Sequence, residues 1–249
     1  MKVSFLVICF LLSGVVLFSQ TIDITYRSSK TRYTLEEYID KFVKTDNAGV
    51  IQMISDTYGK TPSFDYTLTY SDQKSIYHTC DVDSKTFLNA HGERKTLIRP
   101  SVKDKYYKDY KNNQYKAYLH FNDALYMIDN SIVPVQSWKI ENEQIDILGY
   151  RCTKATLENY RGWDVTVWFT TDLPAPIGPE EYSGLPGAIL RVERGAMLLT
   201  ALDIEISEDN SDIEYSIKHN NEIKANWSQY INLEKEEKEF RRRATNMGQ

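Results

Sequence analysis

The sequence predicts a mainly β (α+β) chain, built as a curved antiparallel sheet or half-barrel with an N-terminal helical insertion and a C-terminal helix. Three observations carry that expectation. Apolar and polar residues alternate with a period of two through many short runs, as in strands with one buried face. Aromatic residues make up 12% of the chain and include 18 tyrosines, which suits strands better than disorder. Helical spacing is confined to two stretches, 34–58 and 227–244.

The first strand is predicted over 22–27, where IDITYR alternates. Thr34 then fits a helix N-cap, with Glu37 at the reciprocal position of a capping box. Leu35, Tyr38, Ile39, Phe42 and Val43 follow on one helical face. A second short helix is predicted over 50–58. From Phe64 the period falls to two: Phe64, Tyr66, Leu68 and Tyr70 share one face, and 74–80 forms the return strand. The lysine-rich stretch 81–113 is weakly patterned and reads as short edge strands and loops, with Tyr106, Tyr107 and Tyr110 on an edge protected by lysines.

Strands resume over 115–121, 124–128 and 135–140, then 144–148 after a turn at Asn142-Glu143. A hairpin follows, 150–158 with 163–170, joined by Asn159-Tyr160-Arg161-Gly162. Pro174, Pro176 and Pro179 forbid ladder pairing, so the chain crosses there without a strand. Leu185-Pro186-Gly187-Ala188 fits a type II turn with Gly187 at the positive-φ position, and Gly184 allows close approach ahead of it. A last hairpin, 188–193 with 197–206, turns at Arg194-Gly195; another strand over 213–219 precedes the helix of 227–244.

Residues 1–19 read as a signal peptide, with Lys2 ahead of a short apolar run, and 20–249 as a single domain. The expected location is therefore the periplasm or cell envelope, or outside the cell, with membrane contact only through the transient leader. Losing Lys2 takes the formal charge from −5 to −6, which argues against nucleic acid as a partner. Cys80 and Cys152 remain after cleavage; they either pair as one disulfide or stay as two buried thiols. No CxxC, P-loop, GxSxG or HExxH occurs, so no metal, cofactor or catalytic motif is expected.

The central stretch is the most distinctive. Leu148-Gly149-Tyr150-Arg151-Cys152-Thr153-Lys154-Ala155 is followed by Arg161-Gly162, Trp168, Pro176-Ile177-Gly178-Pro179 and Tyr182-Ser183-Gly184-Leu185-Pro186-Gly187. This ordered series resembles the signature of the GLPGLI family, exported proteins of Bacteroidota first grouped around a Porphyromonas gingivalis set. Ala188 stands where that family usually has leucine, and Glu193-Arg194 replaces an acidic residue that often follows the strand. The resemblance implies a β-rich envelope protein and brings no catalytic residues with it.

Three functions remain open from sequence. The first is a non-enzymatic binding or accessory factor for an apolar small molecule or an envelope protein, with a groove including Trp138, Trp163 and Trp168. The second is a structural or adhesive surface protein. The third is a hydrolase using Asp172, Glu180 and Glu181 near the rigid turn.

Overall fold

The computed structural model describes residues 20–29, 32–60, 62–79, 84–98, 104–121, 124–130, 133, 136–208, 213 and 222–247. The leader 1–19, Cys80 and, apart from Ile213, the strand expected over 213–219 lie outside them. Strand accounts for 53% of the structure and helix for 16%, so the chain is mainly β. Its strands are β1 (Thr21–Ser29), β2 (Phe64–Ser71), β3 (Lys74–Thr79), β4 (Ser84–Leu88), β5 (Arg94–Ile98), β6 (Lys105–Asp109) and β7 (Gln114–Phe121). They continue as β8 (Ala124–Asn130), β9 (Lys139–Ile147), β10 (Tyr150–Tyr160), β11 (Trp163–Thr170), β12 (Ala188–Arg194), β13 (Met197–Ser207) and β14 (Ile223–Ala225).

Twelve of these form one unclosed sheet in the order β14-β8-β7-β6-β3-β2-β1-β13-β12-β11-β10-β9, and β4-β5 stands apart as a hairpin. All neighbours in the large sheet are antiparallel except β14 and β8. Register follows the apolar alternation: Ile24 faces Leu68 and Tyr26 faces Tyr66 across β1 and β2, and all four are buried. One continuous core runs along this face, from Leu119 on β7 through Tyr26 to Val167 and Ala155 on β11 and β10.

The helical insertion begins as predicted. Thr34 Oγ1 accepts from the Glu37 amide, and the Glu37 carboxylate accepts from the Thr34 amide, completing the capping box of α1 (Leu35–Tyr38). The helix then loosens into a π turn at Ile39–Val43. All five residues of its apolar face are half-buried while Glu36, Glu37, Asp40 and Lys41 are exposed, so the helix covers a surface without entering the core. The second helix, α2 (Ala48–Ser55), is capped by Asn47. The C-terminal helix is α3 (Trp227–Met247).

Two sequence expectations about strands fail. β6 is not an edge: it lies between β3 and β7, and Tyr106, Tyr107 and even Lys108 are buried. Lysine and tyrosine dominate β6, and that composition conceals its central place. Asn142-Glu143 does not end the strand; β9 continues through 139–147 with a bulge that sets 141–143 against Lys154 on β10, and Glu141 and Glu143 each pair with that lysine.

The proline crossing is the internal feature around which the sheet curls. Residues 171–187 carry no strand, yet Ile177, Tyr182 and Leu185 are buried. A buried non-strand segment must find partners for its backbone polar groups, and here side chains from β6 and from residues 136–138 ahead of β9 supply several of them. Lys108 on β6 donates to the carbonyls of Gly178 (3.2 Å) and Tyr182 (2.7 Å). Gln136 donates to the Glu181 carbonyl at 3.0 Å, and the Trp138 indole to that of Ser183 at 2.9 Å. In the strand order β6 and β10 are seven places apart, which a flat sheet would spread over about 34 Å. Lys108 and Arg161, which directly follows β10, both reach 178–182, so the sheet has to wrap around this plug.

The turn that closes the plug corrects the expected geometry. Gly184 holds the positive φ (+85°), not Gly187, so 185–188 is not a type II turn of the predicted kind. Gly187 is required for space instead. A Cβ there would lie 1.9 Å from the Thr170 carbonyl oxygen on β11.

Candidate functional site

Beside the plug, a cavity of about 480 Å³ opens between the sheet and α3, within the ~300–1,000 Å³ range of small-ligand sites. Its aromatic wall comes from Tyr66, Tyr77 and Tyr106 on β2, β3 and β6, with Phe121 on β7 and Tyr230 on α3. These rings are mutually braced: Tyr66 stacks on Tyr77 at 5.4 Å, and Tyr230 meets Phe121 edge-on at 6.1 Å. Trp163 stands at the rim, 40% exposed. The β12–β13 turn supports it, since a Cβ on Gly195 would come within 2.9 Å of the indole.

The polar wall is an ion-pair network. Arg161 Nη1 binds Glu181 Oε1 at 2.6 Å, and its Nη2 binds the Glu234 carboxylate on α3. The same guanidinium lies over the Trp227 ring at 5.1 Å. Arg194 Nη1 reaches Glu180 Oε2 at 3.1 Å and donates to the Tyr182 hydroxyl at 3.0 Å. Glu180 adopts φ +51°, a left-handed conformation that costs a non-glycine residue about 1 kcal/mol or more. The turn closed by the Tyr182 amide on the Pro179 carbonyl holds it there.

Burial tunes the charges. Glu181 is fully buried; burial pushes its pKa up, but Arg161 and Arg194 outweigh that and hold it below the usual carboxylate range. For Arg161, burial opposes the charge and the Glu181 and Glu234 carboxylates more than restore it. Burial lowers the Lys108 ammonium to about 7, against the pull of Glu181 and Glu180. Asp104, whose Oδ1 accepts from the His120 amide at 2.7 Å, is raised by burial to about 6.

This last shift has a measurable sign. A carboxyl with a raised folded pKa contributes stability below its unfolded value that is lost as pH climbs through the folded one. Unfolding free energy should therefore carry a falling component between pH ~4 and ~6, of order 3 kcal/mol. Asp104→Asn should remove it, as denaturant titrations across that range would read out. An identical pH slope in the variant would mean Asp104 is not the group responsible.

Of the residues proposed from sequence for a ligand groove, only Trp163 lines the cavity. Trp138 packs on Tyr182 at 6.1 Å and anchors the plug. Trp168 is buried on the opposite face of β11, its indole donating to Glu193 at 3.2 Å. Glu180 and Glu181 do belong to the network, whereas Asp172 is exposed and outside the cavity, so the suspected trio of carboxylates does not converge. Leu185 and Pro186 complete the turn between Gly184 and Gly187, with Leu185 buried. Cys152 is a buried free thiol, pushed up to about 11 by burial. Among the described residues no cluster of His, Cys, Asp and Glu is arranged to hold a metal ion.

Sequence reasoning missed Arg161 and Arg194 because both sit at hairpin turns, where a charged residue reads as solvated. It missed Asp104, His120 and Glu234 because they come from three separate elements. The one available signal was Glu180-Glu181 set inside an otherwise apolar, proline-rich crossing.

No curated protein matches this chain. Solved structures of PNGF-II in two crystal forms do share its fold, with TM-scores of 0.52 and 0.51 at 16% and 18% identity. The likeness covers 86% and 85% of this chain but only 33% and 32% of those chains; the chain spans about a third of their length. Residues 60–228 match the family described as "N-glycanase peptide, N-terminal domain", and the chain belongs to that PNGase F-II N-terminal domain family.

Proposed function

We propose that this chain is a non-enzymatic glycan-binding module of the bacterial cell envelope, holding a saccharide unit in the cavity between the sheet and α3. The observation that carries this reading is the indole of Trp163, supported by Gly195 at the mouth of a cavity whose inner wall combines tyrosines with carboxylates. Sugars present just these two faces, an apolar ring surface for stacking and a rim of hydroxyl donors. The family's description as an N-glycanase domain supports N-linked glycans as the substrate class of the larger system in which such a module would serve. Export by the 1–19 leader and kinship with GLPGLI-type envelope proteins are parts of the same proposal.

An acyl or other apolar ligand fits less well. It would strip water from Asp104, Glu180, Arg161 and Arg194, all of which line the cavity, and offer no hydrogen bonds in return. Glu181, held as a carboxylate between two arginines, is a structural charge that does not serve as a proton donor near neutral pH.

Isothermal titration with the N-acetylglucosamine disaccharide that roots N-linked glycans tests the reading. Binding should fall about tenfold or more in Trp163→Ala, equivalent to ~1.4 kcal/mol, with folding retained at this half-exposed position. Failure of the wild-type protein to bind either this disaccharide or a neutral N-glycan would overturn the proposal. Undiminished binding by the variant would move the site away from the cavity.

A further inference from the structure

Resting on the glycan-binding reading, we infer that the cavity selects uncharged saccharide units and turns away acidic ones, because its own carboxylates occupy both of its arginines. An arginine in an aromatic pocket is ordinarily an anion site, since its planar fork binds a carboxylate or phosphate through two parallel hydrogen bonds. Here the Arg161 fork is taken by carboxylates and that of Arg194 is partly taken. Arg161 spends Nη1 on Glu181 at 2.6 Å and Nη2 on Glu234, and its face covers Trp227. Arg194 spends Nη1 on Glu180 at 3.1 Å and on the Tyr182 hydroxyl, while its Nη2 contacts the Met197 sulfur at 3.7 Å.

Beside the tyrosine hydroxyls and the His120 ring, the cavity presents carboxylates to a ligand. Glu180 and Glu234 line the cavity with Asp104, and ionised carboxylates accept hydrogen bonds without donating any. Sugar hydroxyls and acetamido N–H groups can donate to them. A uronate or sialate carboxylate cannot, and it would have to approach like charges in a partly desolvated space. Pairing it with Arg161 would require breaking one of the internal ion pairs first. The same arrangement discriminates against phosphorylated ligands.

The test compares two disaccharides of equal size by titration calorimetry: the neutral N-acetylglucosamine disaccharide, and its counterpart oxidised to a carboxylate at C6 of the terminal unit. Wild-type protein should prefer the neutral one by at least tenfold. In Glu234→Gln the Arg161 Nη2 loses its charged partner while Nη1 stays on Glu181, and the preference should shrink severalfold through tighter binding of the acidic sugar. Glu180→Gln, which releases Arg194 from a different element, should act in the same direction and stands in if the first variant loosens α3. Equal or tighter wild-type binding of the acidic disaccharide would overturn the inference and leave the glycan reading intact. So would an unchanged preference in both folded variants. If wild type binds neither disaccharide nor a neutral N-glycan, the glycan reading itself falls, and this inference with it.

Discussion

Gly187→Val should destabilise the protein by about 3 kcal/mol or more, the largest effect expected of any single substitution on the plug. The cause is a collision rather than a dihedral preference. The new Cβ would sit 1.9 Å from the Thr170 carbonyl oxygen and 2.7 Å from its carbon. That carbonyl is backbone at the end of β11, where Thr170 pairs with Ala188, so it cannot swing aside as a flexible side chain would. Moving the plug instead would pull on the bonds from the Ala188 amide to the Leu173 carbonyl and from the Ile189 amide to the Ile177 carbonyl. Gly184 provides the internal comparison. Its φ is +85° but the space beside it is open, so Gly184→Ala should cost only about 1–2 kcal/mol, the left-handed penalty alone. Urea denaturation of the two variants would separate these causes. A wild-type midpoint in Gly187→Val would mean that the Thr170 carbonyl does not lie against this turn.

Arg161→Met should cost a comparable amount, about 3 kcal/mol, because it removes one partner of a buried pair and strands the other. Glu181 is completely buried and, among the described residues, would keep Arg194 at 3.9 Å as its ion-pair partner. One of its oxygens, Oε2, lacks a hydrogen-bond partner among the described residues, so little is in reserve to solvate the charge. The same substitution uncouples α3 by removing its tie through Glu234 and the guanidinium over Trp227. Amide exchange should accordingly speed up in the first turns of α3 while the strands β1, β2 and β13 keep their protection. The pH dependence carries a definite sign. A carboxylate held below its ordinary pKa contributes stability that is present above the unfolded value and lost as pH falls through the folded one. The gap between wild type and Arg161→Met should therefore be widest near neutrality and close as the solution is acidified below pH ~4. A constant gap from pH 7 to 3 would show that the Glu181 charge is not what Arg161 stabilises.

Both sites show how unevenly the sequence encodes its structure. The period-two runs at 22–27, 64–70 and 163–170 announced β1, β2 and β11, because alternation records which side chains face the core. Thr34 and Glu37 announced a helix start, because a capping box is satisfied within four residues. The prolines at 174, 176 and 179 announced a segment without ladder pairing. Gly187 was correctly singled out, but for the wrong reason. Its requirement comes from the Thr170 carbonyl, seventeen residues earlier and on another strand, which no local turn rule contains.

The amino-acid sequence by itself therefore determined the class of the fold, the two helical ends, the principal hairpins and the unpaired crossing. In each of these the deciding interactions lie within a few residues along the chain. Only the tertiary structure decided that the crossing is a buried plug, that the lysine-rich β6 runs through the middle of the sheet, and that Arg161, Glu181 and Glu234 meet. Those outcomes depend on the order in which strands pair and on how far the sheet curls. A buried charge such as Lys108 or Glu181 becomes tolerable only once partners from distant strands have been brought to it. The candidate site is made of such charges, which is why it became visible only in the folded chain.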